Sequence, residues 1–109
     1  MATAFPDVLP DTDSETRTDR QPPYAVVLHN DDVNTFPFVV AVLMKVFKYP
    51  LLKCIGLTTE AHEKGRAVVW VGSLEVAELK ADQIHSCGPD PSRVEAGSKP
   101  LGVTLEPMA

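Results

Sequence analysis

Two helix-like segments follow one another in this chain, and this order constrains the fold more than any other sequence feature. Apolar residues recur at three- and four-residue steps over residues 35–47, which predicts a helix with one apolar face. A second helix is predicted over residues 50–64, ended by Gly65 in the left-handed conformation. Because only a few residues separate the two helices, we expect them to pack as antiparallel neighbours.

Three predicted strands and a third helix complete the domain. The strands are expected at residues 24–28, 66–71 and 101–105, where β-branched residues or alternating apolar residues occur. Ser73 is expected to cap the third helix, and Asn34 the first. The order β-α-α-β-α-β predicts an α+β domain in which three helices cover one face of a three-stranded antiparallel sheet.

Residues 1–23 differ in composition from the rest of the chain. They hold four of the ten prolines, five acidic residues and two arginines, with few bulky apolar side chains. Such a segment cannot bury enough apolar surface to offset its chain entropy. We therefore expect a disordered tail at residues 1–23 and a folded domain at residues 24–109.

Charge and composition also exclude several classes of protein. The formal net charge of -5 argues against a nucleic-acid-binding protein, which needs a basic surface. No apolar run is long enough to cross a membrane, and the N-terminus lacks the basic start and apolar core of a secretory signal. Cys54 and Cys87 lack the spacing of a zinc site. We expect a cytoplasmic protein.

The stretch "HNDDVNTFPF" places Asn30, Asp31 and Asp32 between the first strand and the first helix. These side chains are typical of turn and cap chemistry. Together with His29 and His62 they could instead ligate a metal ion. A third interpretation is a receptor for a free α-amino group, whose three donors and positive charge require a carboxylate, an amide oxygen and a neutral imidazole.

The position of His62 favours the amine receptor, although the sequence alone leaves all three interpretations open. His62 lies near the end of the second helix, and antiparallel packing brings that end close to Asn30 and Asp31. The apolar residues expected nearby are Phe36, Val39 and Val40. A group of polar acceptors above an apolar cavity suits a charged amine attached to a bulky side chain.

The folded part resembles the ClpS family of adaptors, which hand proteins with destabilising N-terminal residues to a Clp AAA+ protease. The matching stretches are "YAVVLHNDDVNT", "FVVAVLMKVF", "AHEKGRAVV", "EVAELK" and "PLGVTLEP". The resemblance implies that Asn30, Asp31 and His62 hold the α-amino group and first peptide unit, and that Asp32 supports the same loop. It also implies that Glu75 contacts the N-terminal domain of a ClpA- or ClpC-type ATPase, together with Lys80.

The implied side-chain pocket departs from the family pattern. Its expected lining is Phe36, Val39, Val40, Thr58, Ala61 and Leu101. Phe36 and Thr58 stand where the family commonly has methionine, Pro37 stands where glutamate is usual, and Ala61 replaces a common valine. The loop at residues 88–99 is also longer than usual.

The resemblance implies a non-enzymatic adaptor that needs no cofactor and no metal. Its ligands would be proteins whose first residue is Phe, Tyr, Trp or Leu. Two other classes share some features with this chain. An interaction module of the ribosomal-stalk type would have the same architecture, and a metal-dependent hydrolase would use His29, Asp31 and His62 as ligands.

Overall fold

A computed structural model describes residues 21–108 of the chain, so most of the predicted tail lies outside the described residues. The elements are strand β1 (Tyr24–His29), helix α1 (Phe36–Phe47), helix α2 (Leu51–Lys64), strand β2 (Arg66–Gly72), helix α3 (Leu74–Ser86), a 3-10 helix (Pro91–Ala96) and strand β3 (Val103–Pro107). This order confirms the predicted β-α-α-β-α-β arrangement.

The three strands form one antiparallel sheet with β1 in the centre, in the order β2-β1-β3. The central position of β1 matches its sequence, because Ala25, Val26, Val27 and Leu28 are all almost completely buried. On β2, Arg66 forms an ion pair with Glu106 on β3, which joins the two outer strands.

The helices cover one face of the sheet and bury the main core against it. Buried side chains from β1, β2 and all three helices pack together in this core, among them Leu28, Leu43, Cys54, Val69 and Ile84. The apolar face of α1 is buried in this core, and this packing stabilises a helix of 12 residues that would be marginal in isolation. Within residues 21–108, no helix has the length and apolar character needed to cross a bilayer.

Three local predictions need correction, while two caps are as expected. Thr35, not Asn34, caps α1, since the Thr35 side chain accepts from Phe38 N. Strand β3 starts two residues later than predicted, and the loop before it contains the 3-10 helix. Gly65 ends α2 with φ 90°, a value that suits glycine, and Ser73 caps α3.

Candidate functional site

Main-chain hydrogen bonds fix the acidic loop between β1 and α1 from two sides. On one side, Asn30 N donates to Gly65 O, the residue that ends α2, over 3.0 Å. On the other side, His29 N donates to Gly102 O, just before β3, over 2.9 Å. Because Gly65 follows the last turn of α2, these bonds bring His62 to the same cavity as the acidic loop.

A cavity of about 240 Å³ opens where this loop, α1 and α2 meet. Its lining residues are Leu28, His29, Asn30, Asp31, Asp32, Asn34, Phe36, Val39, Thr58, Ala61, His62 and Leu101. An apolar cavity of roughly 150 Å³ can hold one benzene molecule. The volume therefore suits a single large side chain.

The structure brings most of the predicted site residues together at this cavity. Asn30, Asp31, Asp32 and His62 all line it, as do Phe36, Val39, Thr58, Ala61 and Leu101 from the predicted side-chain pocket. Val40 does not line it and is instead buried in the main core. Leu28 and Asn34 line the cavity although the sequence did not single them out for it. The signal for Leu28 is its place as the last apolar residue before the acidic loop.

The carboxylate of Asp31 holds the loop in a tight turn. Its Oδ1 accepts from Val33 N at 2.8 Å and from Asn34 N at 3.0 Å, while its Oδ2 accepts from Asn34 Nδ2. A carboxylate has about four acceptor positions, so these three bonds leave one for an external donor. Turn chemistry and amine binding are therefore compatible at Asp31.

Asn30 and Asp32 form a second contact within the loop. The Asn30 amide nitrogen donates to Asp32 Oδ1 over 3.2 Å, so the amide oxygen of Asn30 is the group oriented to accept from elsewhere. Both side chains are exposed. This contact supports the predicted role of Asp32 in orienting the loop.

The metal-site interpretation is not supported by the arrangement of the side chains. Within the described residues, no three His, Cys, Asp or Glu side chains are grouped closely enough to hold a metal ion. The His29 ring is instead hydrogen-bonded through Nε2 to Thr104 Oγ1 at 2.7 Å.

Two of the expected departures from the family pattern, Thr58 and Phe36, lie at the wall and the mouth of the cavity. Thr58 is buried, and its hydroxyl donates to Cys54 O over 2.7 Å within α2. Because that donor is already paired, the threonine wall introduces no unsatisfied hydrogen-bond donor. Phe36 lies at the first position of α1 and is 41% exposed at the cavity.

The two predicted ATPase-contact residues lie on α3, away from the cavity. Glu75 is exposed in the first turn of this helix. Lys80 donates to Val46 O over 3.2 Å and lies 5.7 Å from the ring centre of Phe47, contacts that stabilise the carboxyl end of α1.

Comparisons with known proteins match this fold and most of its length. The family model described as the ATP-dependent Clp protease adaptor protein ClpS matches residues 19–103. The ClpS adapter of Desulfatibacillum aliphaticivorans is 36% identical over 93% of this chain and 89% of its own length. That of Thermosynechococcus vestitus is 38% identical over 77% of this chain and 90% of its own length. The structure of Agrobacterium tumefaciens ClpS2 bound to L-phenylalaninamide has a TM-score of 0.69 at 37% identity and covers 82% of this chain and 100% of its own.

Proposed function

The chain belongs to the ClpS family of Clp protease adaptors, and from this premise we propose that it binds proteins with a bulky apolar first residue and delivers them to a Clp AAA+ ATPase. The relatives are named adapter proteins, which supports an activity of binding and not of catalysis. The site of action we assign is the cytoplasm.

One observation carries this proposal: a single cavity combines polar acceptors with apolar walls sized for one side chain. The acceptors are the Asn30 amide oxygen, the unused position on Asp31 and the His62 imidazole. A protonated α-amino group has three donors, which this set matches in number and charge. L-phenylalaninamide, the ligand of the Agrobacterium tumefaciens protein, has a free α-amino group and a benzyl side chain.

The remaining roles follow from the positions of the residues. Phe36 at the mouth contacts the ligand side chain, and the walls are formed by Val39, Thr58, Ala61 and Leu101. We assign Glu75 and Lys80 to the contact with the N-terminal domain of the ATPase, which is of the ClpA or ClpC type. We assign residues 1–23 to delivery, since they are too polar and proline-rich to line an apolar pocket.

A peptide series tests the proposal directly. Fluorescence anisotropy is measured with labelled peptides that differ only in the first residue, each with a free or an acetylated α-amino group. Phe, Tyr, Trp and Leu peptides are expected to bind, while acetylation removes binding because it eliminates the cation and two donors. Equal affinity for the free and acetylated Phe peptides contradicts amine recognition.

A further inference from the structure

A buried aspartate in the segment between α3 and β3 is hydrogen-bonded to the start of α1. Asp90 is only 3% exposed, and its Oδ2 accepts from Thr35 N at 3.0 Å and Thr35 Oγ1 at 2.6 Å. Its Oδ1 accepts from Ser92 N at 2.9 Å and Ser92 Oγ at 2.7 Å. These bonds use about all the acceptor positions of a carboxylate and hold the Asp90 pKa well below its usual range.

Asn34 connects this aspartate to the acidic loop. Asn34 is buried, and its Oδ1 accepts from Asp90 N at 2.9 Å. Its Nδ2 donates to Asp31 Oδ2 and to Lys99 O. Rotating the amide by half a turn would place its nitrogen against the Asp90 N–H and its oxygen against a carboxylate and a carbonyl. The amide therefore has one favourable orientation, which fixes the position of the Asp31 carboxylate.

We propose that Asp90 is a positioning residue for the amine-binding site, acting through Asn34 on Asp31 and through Thr35 on Phe36. Asp90 does not line the cavity. Its main-chain N–H donates to Asn34 and its carboxylate accepts from Thr35, the two loop residues that precede the cavity mouth, so one buried residue orients both the polar and the apolar half of the site. The inference rests on the proposed function, because the position of Asp31 matters for binding only if the cavity receives an amine.

The benefit of this arrangement is a site that is oriented before the ligand arrives. Ordering a side chain on binding weakens affinity, whereas a side chain already held by buried hydrogen bonds loses little further freedom. The segment at residues 87–102 thereby becomes part of the binding site, through Asp90, Lys99 O and Leu101.

The main test is a double-mutant cycle with Asp90→Asn and Asp31→Ala, using the free-amine Phe peptide in anisotropy titrations. Asp90→Asn keeps the shape of the side chain, but its amide NH₂ group then faces the N–H and O–H donors of either Thr35 or Ser92. We expect a loss of affinity of at least about tenfold in the wild-type background and a clearly smaller loss, of about threefold or less, in the Asp31→Ala background, where only the path through Thr35 to Phe36 remains. The matched control is Asp82→Asn, an exposed aspartate on α3, which should bind like wild type.

An effect of Asp90 on folding alone predicts a different result, namely the same factor of loss in both backgrounds. That result, or wild-type affinity in a folded Asp90→Asn protein, overturns the proposal. If Asp90→Asn does not fold, Thr35→Ser and Thr35→Val replace it, because serine keeps both donors to Asp90 and valine loses the hydroxyl. Thr35→Ser should bind the Phe peptide like wild type, and Thr35→Val several-fold more weakly; equal affinity of the two variants overturns the proposal.

A peptide-independent measurement separates failure of this inference from failure of the proposed function. In nitrogen-edited NMR spectra, the Asn34 side-chain amide should give slowly exchanging, shifted signals in wild type. These signals should change in Asp90→Asn, because weakening the side-chain bonds to Thr35 and Ser92 displaces the Asp90 N–H from which Asn34 Oδ1 accepts. Unchanged Asn34 signals refute the network whatever the peptide result. Changed signals in a protein that binds no free-amine peptide refute amine recognition, and with it the role of Asp90 in binding.

Discussion

Filling the cavity from the α2 side should strongly reduce the preference for a bulky first residue. Ala61 lines the cavity and is 4% exposed, so Ala61→Leu adds three carbon atoms to the space proposed for the ligand side chain. The acceptors Asn30 and Asp31 lie on a different element, the loop before α1, and keep their hydrogen bonds. The substitution therefore separates the contribution of the side-chain pocket from that of the amine site.

The size of the effect follows from the burial of the ligand side chain. The cavity of about 240 Å³ can enclose a benzyl group. Fully burying a Phe side chain contributes roughly 1.5–3 kcal/mol, which corresponds to about tenfold to 150-fold in Kd. An Ala first residue gains little from the same space. We expect wild type to prefer the Phe peptide over the Ala peptide by a factor in this range, and Ala61→Leu to reduce that preference to about threefold or less.

Anisotropy titrations with the Phe and Ala peptides measure this ratio in three proteins. Ala41→Leu is the matched control, since the same substitution is made at an exposed position on α1 and should leave the ratio unchanged. Thermal unfolding of each variant checks that overpacking has not unfolded the domain. A folded Ala61→Leu protein that keeps the wild-type ratio refutes the assignment of this cavity as the side-chain pocket.

Three further predictions address the imidazole, the tail and the specificity of the pocket. His62→Ala should weaken binding of the free-amine Phe peptide, because the imidazole is one of the three acceptors proposed for the α-amino group; wild-type affinity in a folded His62→Ala protein excludes His62 as an acceptor. Deleting residues 1–23 should leave peptide affinity within about threefold, since this segment is too polar and proline-rich to line an apolar pocket, but should impair ATPase-dependent degradation; a large loss of affinity contradicts this division of roles. Phe36 can stack on an aromatic first residue, which contributes roughly 0.5–1.5 kcal/mol to binding, so wild type should prefer the Phe peptide over the Leu peptide more than the Phe36→Met, Thr58→Met double variant does. An unchanged Phe-to-Leu affinity ratio shows that these two positions do not set specificity.

Several features of the fold and site could be predicted from the sequence because they depend on local pattern and short connections. The periodicity of apolar residues predicted the type and order of the six main elements, and Gly65 predicted the end of α2. The short connection between α1 and α2 left one plausible packing, which placed His62 beside the acidic loop. Such signals are readable because each depends on residues close together in the chain.

Other features were decided only by contacts between residues far apart in sequence. Val39 and Val40 are both apolar and adjacent, yet only Val39 lines the cavity, because the packing of α1 against the sheet and α2 decides which space each side chain faces. The prediction that Asn34 caps α1 was wrong, because a buried asparagine and a capping asparagine have the same local sequence signal.

Asp90 shows most clearly why the rest needed the tertiary structure. In "CGPDPSRVEAGSKP" it has the signature of an ordinary turn aspartate, and its bonds to Ser92 satisfy that interpretation. Its bonds to Thr35 join residues 55 positions apart. The amino-acid sequence supplies the groups that this chain has for capping, turning and binding an amine. Which of these groups become partners depends on folding, because a hydrogen bond requires a distance of about 3 Å that the sequence does not specify.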